Sequence, residues 1–275
     1  MLPTIQEIDT GQAKAVNKAF SKQSFLYDEE DERNLVLRHM REQVYAHVKK
    51  NLNANANVLE LNAGTGIDAL KFVSWGHHVL ATDLSDGMIA QINKKIEKYK
   101  LAGRLKSQQL SYQKLNTLNG QKFDFVFSNF GGLNCIRDLR TVTHHLPALL
   151  TQGAYVTWVI MPPVYLWELA GVFKGHGKKA FRRFSKNGVR SHLKGEYFDT
   201  YYHSLSEIKS AFGKEFKFIS TEGLAAISPP PHRGDFPVNH PVFYRILNKL
   251  DGIVRPYFPF NRWADHIIVT FQFTK

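Results

Sequence analysis

Residues 58–70 read VLELNAGTGIDAL, four strand-forming residues, a turn carrying two glycines and the opening of a helix. A strand that passes through so short a turn straight into a helix is the repeating step of an open α/β sheet, and its loop lies at the carboxyl edge. The step recurs along the chain. HHVLATD reads as a second strand, followed by a helix over 85–100 with a basic outer face. LKSQQLSY is a weaker third strand, FDFVFSNF a fourth and GAYVTWVIM a fifth, with a helix ending near Leu150 between the last two. Such alternation predicts an α/β fold, a doubly wound, seven-stranded, mostly parallel sheet with right-handed crossovers.

The rhythm changes on both sides of this core. Before it, DEEDERNLVLRHMREQVYAHVKKNL begins with acids and ends in lysines, as a helix dipole prefers. Asp28 and Asp31 are expected to form a capping box, and Leu37, Met40, Val44 and Val48 a single apolar stripe. After Met161 a basic amphipathic helix is expected over 163–184 and an exposed strand over 195–203. A short helix over 205–212, a strand in EFKFISTEG, a Pro-rich aromatic stretch over 228–262 and a closing strand in DHIIVTFQF follow. The expected organisation is an N-terminal helical lid (1–50), a cofactor-binding core (51–161), an inserted cap after strand 5 (162–203) and C-terminal sheet strands around an aromatic insertion (204–275).

Composition limits the alternatives. A hydrophobic fraction of 43% over 275 residues supports a sizeable core. The single cysteine, Cys135, forms no intramolecular disulfide and suits a reducing compartment. The first dozen residues have neither a basic nor an apolar leader segment, so a cytoplasmic location is expected. Residues 154–173, AYVTWVIMPPVYLWELAGVF, have the length of a membrane span, but Pro162 and Pro163 divide them; a buried strand followed by a helix fits better. The net charge of +12 gathers between Lys174 and Lys194 and admits nucleic acid, an anionic membrane surface, an acidic substrate or a merely solvated face.

The chemistry starts at the turn. Gly64 and Gly66 permit close backbone approach, and the helix that follows offers free N–H groups to a carboxylate or phosphate. Asp83 closes the second strand, about 20 residues on, where a carboxylate can accept from both hydroxyls of a ribose. Either a dinucleotide or an adenosyl sulfonium fits that logic. A short-chain dehydrogenase would carry its Tyr-x-x-x-Lys after the turn, whereas Tyr45 and Lys49 precede it.

ELNAGTG, ATDLSDGMI and FDFVFSNFGGLN together resemble the class I S-adenosylmethionine-dependent methyltransferases. The resemblance implies that Glu60 is the acid beneath the loop and that Asn62, Ala63, Gly64, Thr65 and Gly66 form the turn under the methionine tail. It implies that Asp83 holds the ribose, that Leu84 and Met88 flank the adenine, and that Asn129 and Phe130 border the transferable methyl group. AFSKQSFLYDEEDERN resembles the lid of bacterial quinone-type C-methyltransferases, with Phe20, Tyr27 and Asp28 at the matching positions. The implied cofactor is S-adenosyl-L-methionine.

Two departures stand out. Asn62 replaces the first glycine of the signature; asparagine tolerates the left-handed region, so the turn can survive, and its amide could reach the cofactor. The third strand ends without the usual acid for the adenine amino group, leaving Ser111 or the backbone of Leu110 and Tyr112.

SNFG lacks the paired prolines that enzymes methylating nucleic-acid amines carry there, and the many rings after strand 5 suggest an apolar or aromatic small-molecule acceptor, methylated at oxygen or carbon. His203 or Tyr201, in TYYHS, is the expected general base. The histidine pairs show no metal-ligand spacing, so no metal is expected. Two other readings stay open: an RNA or protein methyltransferase using the basic cap, and a non-catalytic binder of the adenosyl cofactor. Peripheral contact with an anionic membrane, helped by FYRILNKLDGIVRPYFPFNRW, ranks ahead of nucleic acid.

Overall fold

The structure, a computed structural model, describes residues 10–175 and 180–275. Three helices lead: α1 (Thr10–Gln23), α2 (Tyr27–Arg33) and α3 (Leu35–Val48). The alternating core then runs β1 (Asn57–Leu61), α4 (Ile67–Ser74), β2 (His78–Asp83), α5 (Asp86–Tyr99), β3 (Leu105–Gln109), β4 (Phe123–Ser128) and β5 (Leu150–Ile160). A two-stranded hairpin of β6 (Val189–Leu193) and β7 (Glu196–Thr200) follows. The chain ends with α6 (Leu205–Ala211), β8 (Phe216–Leu224), α7 (Pro241–Val254) and β9 (His266–Phe273).

Seven strands make one sheet in the order β3-β2-β1-β4-β5-β9-β8. Pairs from β3 to β5 are parallel, and β9 runs antiparallel to both β5 and β8. The strand order reverses between β1 and β4, where Leu61 pairs with Ser128 at the carboxyl ends. Crossovers leave that point in opposite directions, opening a crevice in which such sheets bind ligands.

Both faces of the central strands are buried, so they read as near-continuous apolar runs. Val58 packs with α3 and Phe72 on one face, while Leu59 and Leu61 pack with Trp158 and Leu146 on the other. Phe72 meets Phe127 edge-on at 5.1 Å, and Phe212 stacks on Phe271 at 3.8 Å. Residues 154–160 lie inside β5, in the middle of the sheet, and no helix among the described residues is long and apolar enough to cross a membrane.

Three local expectations need correction. The leading helical run is not continuous: Asn34 leaves helical torsions and its side chain accepts from the N–H groups of Val36 and Leu37, which starts α3 afresh. Asp31 is therefore no cap partner of Asp28; it is buried and bound to Arg41 at 2.6 Å. The stripe of α3 is Val36, Met40, Val44 and Val48, with Leu37 half-buried at its edge.

The expected basic helix over 163–184 breaks up. Leu166–Ala170 is a single helical turn that passes into a 3-10 segment ending at Gly175, in the left-handed region. The chain returns through a second 3-10 turn, Arg182–Phe184. There Arg182 and Arg183 bond Glu168, and Arg183 is buried against Asp265 at 2.9 Å. These intramolecular pairs outweigh a helix, so part of the supposed basic face is folded inward. Lys178 and Lys179 lie outside the described residues.

One ion cluster ties α3 to the antiparallel edge. The Glu222 carboxylate lies 2.9 Å from His47 Nδ1, 2.8 Å from Arg255 Nε and 3.3 Å from Lys50 Nζ. His47 Nε2 sits 2.8 Å from the Thr270 hydroxyl. Burial pushes the Glu222 pKa up, but these neighbours outweigh it and hold it down at about 2. A depressed carboxylate stabilises the fold above its unfolded value and loses that contribution as pH falls toward its folded value. Glu222→Gln is expected to cost on the order of 3 kcal/mol at pH 7, with the gap to the parent chain narrowing as pH falls from 5 toward 2.5 (about the titration window). Urea unfolding across that range checks it; a gap independent of pH would refute the ionic origin.

Candidate active site

The turn after β1 is built on three left-handed residues, Asn62 (φ 48°), Gly64 (φ 55°) and Gly66 (φ 82°). Gly66 is the N-cap of α4, and any Cβ there would press on Ile92 at 3.1 Å. Asn62 is the informative position. Its Oδ1 accepts from the Ser128 hydroxyl at 2.6 Å and the Tyr112 hydroxyl at 2.9 Å, and its Nδ2 donates to Asn129 O at 2.9 Å. A glycine would relieve left-handed strain of about 1–2 kcal/mol. It would also strand two hydroxyls at about 1–3 kcal/mol each. Asparagine wins on that comparison. Its amide joins β1 to β4 and to the segment after β3, while the residue also lines the cavity.

The neighbouring glycine pair belongs to the same junction. Gly132 has no room for a side chain, since a Cβ would run into the Asn62 amide. Phe130 (φ 46°) and Gly131 (φ 77°) turn the chain out of β4 through consecutive left-handed torsions.

Asp83 stands opposite. Its Oδ2 accepts from Gly64 N and its Oδ1 from Ser85 N, both at 2.8 Å. Burial raises its pKa to about 6, and the N–H groups of Ser85, Gly64 and Leu84 limit that rise. Ser85 caps α5 by accepting from Met88 N, leaving Asp83 to the loop.

A cavity of about 840 Å³, counted to its mouth, runs along this edge. Its walls include ten of the predicted positions: Tyr27, Asn62, Gly64, Asp83, Leu84, Met88, Leu110, Ser111, Asn129 and Phe130. Ala63 borders a smaller adjoining recess with Arg41 and Asp68. Thr65 is buried with its hydroxyl on Asp28, and Gly66 faces Ile92.

Glu60 is fully enclosed rather than lining the cavity, and its Oε2 has no hydrogen-bond partner. Burial first, then Asp68 and Asp83, raises its pKa well above the carboxylate range, against the pull of Arg41. A buried carboxyl with an unanswered oxygen beneath this turn is chemically suited to a donor such as an ammonium group or a bridging water.

The lid closes the other side. Gln12, Ala13, Val16 and Phe20 of α1 line the cavity. Gln12 clamps that helix to the hairpin: its amide accepts from Asp199 N at 2.9 Å and donates to Asp199 O at 2.7 Å. Ser21 reaches Ser85 at 2.7 Å and Asp86 at 2.5 Å, packing against Gly87 where no side chain would fit. Asp28 pairs with Lys95 at 2.5 Å, and the Tyr27 ring stands over Gly64.

Beneath Tyr27, Arg41 binds Asp68 at 2.5 Å and Asp31 at 2.6 Å, with its guanidinium 4.8 Å from the Phe130 ring centre. Asp68 also accepts from Tyr45 at 2.6 Å and Asn129 at 2.9 Å.

His203 and Tyr201 are not brought into the cavity. His203 is buried with Nε2 3.0 Å from Ile136 O, and burial lowers its pKa. Tyr201 packs its ring against Gly188 and donates its backbone N–H to Asn134 O. Instead the cavity receives Tyr112, Cys135 and Ile136, which sequence reading did not nominate as side chains. The GG pair after SNF was a usable signal for the close approach at Gly132; nothing in the sequence marked Gln12 or Cys135. Among the described residues no group of three or more His, Cys, Asp or Glu is placed to hold a metal.

Residues 58–153 match the family model described as a methyltransferase domain. The chain contains an S-adenosylmethionine-dependent methyltransferase domain. No curated protein sequence matches it. Among solved structures, the chain is similar to Haemonchus contortus phosphoethanolamine N-methyltransferase 2, at 17% identity and TM-score 0.61 over 97% of this chain and 60% of that one. It is also similar to Burkholderia thailandensis 1,6-didemethyltoxoflavin-N1-methyltransferase, at 14% identity and TM-score 0.58 over 99% and 94%. A third is the Synechocystis magnesium protoporphyrin IX methyltransferase, at 15% identity and TM-score 0.57 over 96% and 100%. At these identities the likeness is one of fold.

The Asn62 junction makes a direct prediction. Asn62→Gly should lower stability by about 1–3 kcal/mol despite relieving the backbone, and Asn62→Ala by more, because it adds strain to the same loss. Thermal melts decide the matter; a glycine variant as stable as the parent would show that the amide contributes nothing.

Proposed function

We propose that this methyltransferase transfers a methyl group to an apolar or aromatic small molecule, at oxygen or carbon, inside the lidded cavity. The observation that carries the reading is the composition of that cavity: Val16, Phe20, Met88, Phe130 and Ile136 line it, and among the described residues Asp83 is the one carboxylate in its wall. When bound, S-adenosylmethionine supplies an activated methyl group on a sulfonium. Asp83 would accept from the ribose hydroxyls, Leu84, Met88 and Leu110 would enclose the adenine, and Ser111 or the backbone beside it would meet the adenine edge. The turn from Asn62 to Gly66, with Asn129, would carry the amino-acid tail, and Glu60 would answer its ammonium through the turn. Phe20, Cys135 and Ile136 are left to contact the acceptor.

The wall supplies alignment and dryness rather than proton transfer. Burial raises the Tyr27 phenol and the Cys135 thiol to about 12, and the Tyr112 phenol well above its ordinary value. All three therefore keep their protons at neutral pH. In-line displacement needs only a positioned lone pair and exclusion of water. The acceptor that suits such a wall enters already ionised, as an acidic enol or phenol does. His203 and Tyr201, away from the cavity, have no part in this scheme. The names of the toxoflavin and protoporphyrin enzymes, which act on small ring systems, support the substrate class. Arg182 and Arg183, folded onto Glu168 and Asp265, weaken the RNA alternative. The lone thiol of Cys135 accords with a cytoplasmic enzyme.

Calorimetry with S-adenosylhomocysteine tests the cofactor arrangement. Asp83→Ala should weaken binding at least about tenfold, the cost of about one charge-assisted hydrogen bond. Affinity should be constant from pH 7 to 8 and fall as Asp83 takes up a proton near pH 6, whereas Asp83→Asn should be weak and independent of pH. Wild-type affinity unmoved by Asp83→Ala would sink this placement. Labelled donor offered to phenols, enols and lipid extracts then finds the acceptor.

A further inference from the structure

Helix α7 (Pro241–Val254) is mounted the wrong way round for a protein surface. Its one buried residue is Asp251, which accepts from Ile227 N at 2.7 Å, Ser228 N at 2.9 Å and the Ser228 hydroxyl. A carboxylate thus pins the helix to the chain leaving β8. The apolar residues face outward instead: Val242 is 69% exposed, Phe243 55%, Ile246 51%, Leu250 42% and Ile253 58%. On an ideal helix those five fall within an arc of roughly 100°. Tyr257 and Phe258, exposed just beyond the helix, extend the apolar surface.

Water-facing helices of globular proteins present the opposite arrangement, so a contiguous outward stripe marks a docking face. Charge identifies what it docks on. The helix exposes Arg245 and Lys249 and no acid, and Arg262, exposed, lies over the Phe258 ring at 5.7 Å. Arg245 and Lys249 also border an open groove with Arg38 of α3, in which Glu42 is the one acid. The whole chain carries a net charge of +12. A two-fold contact with a second copy would set these cations against themselves. An apolar stripe edged by cations suits the interface of an anionic bilayer, with the rings below the phosphates and the cations among them.

We propose that α7 and the aromatic loop after it are a membrane-docking surface that seats the enzyme on anionic phospholipid. Seated there, the protein would draw hydrophobic molecules from the bilayer phase.

The test is co-sedimentation of the full chain with phosphatidylcholine vesicles, with and without phosphatidylglycerol at about 30%, at low and high salt. Binding should require the anionic lipid, weaken with salt and drop at least about tenfold in F243S/I246S, while R245E/K249E should lose the preference for anionic lipid. S-adenosylhomocysteine calorimetry on the same variants should be unchanged, which separates a failure of docking from a failure of the catalytic reading. No binding to anionic vesicles, or equal binding by F243S/I246S, overturns the proposal. So does a concentration-dependent dimer in sedimentation velocity that F243S/I246S abolishes, since the face would then belong to a second copy.

Discussion

The carboxyl ends of β1 and β4 diverge at the point where the sheet changes direction, and something must hold that gap to a fixed width. Asn62 does so with a single amide, which accepts hydrogen bonds from the Ser128 and Tyr112 hydroxyls and donates one to Asn129 O. The turn above it, the post-β4 segment and the wall containing Tyr112 are thereby one unit. This tie carries the join past the β1–β4 ladder, which ends at Leu61 and Ser128.

A second layer of polar contacts closes the unit from above. Arg41 joins Asp31 of α2 to Asp68 of α4, and Asp68 in turn holds Asn129. Removing charges from water is costly, and here two carboxylates answer the two terminal nitrogens of the Arg41 guanidinium. Here the network fixes α2 and Tyr27 against the glycine turn, while Gln12 fixes α1 against the hairpin. The resulting enclosure explains why its phenols and its thiol hold their protons. Low polarity favours the neutral form of each.

Local pattern was sufficient for much of the core. NVLEL, HVLATD and FDFVFS became β1, β2 and β4 because short, mostly apolar segments rich in Val, Leu and Phe suit the buried centre of a parallel sheet. Asn62 in the left-handed region was legible from residue type alone. Misreadings arose where long-range pairs overrode local preference. The basic run after Pro163 has helical periodicity, yet Arg183 gains more from burial against Asp265, 82 positions away. Asp28 and Asp31 look like a cap, yet Arg41 claims one and Thr65 with Lys95 the other. His203 looked available as a base because sequence cannot show that its ring is enclosed on Ile136 O.

The sequence by itself determined the alternation of strands and helices, the glycine turn and the acid that closes β2, since each depends on periodicity or on torsions confined to a few residues. Only the tertiary structure decided which side chains share the cavity, that Asn62 serves the scaffold, and that α7 turns its apolar face to water. Those outcomes depend on contacts between residues far apart in the chain, whose energies no local window contains. Asp251 illustrates the difference: it was one acid in an apolar and basic stretch until Ile227 and Ser228 came within reach and set which way the helix faces.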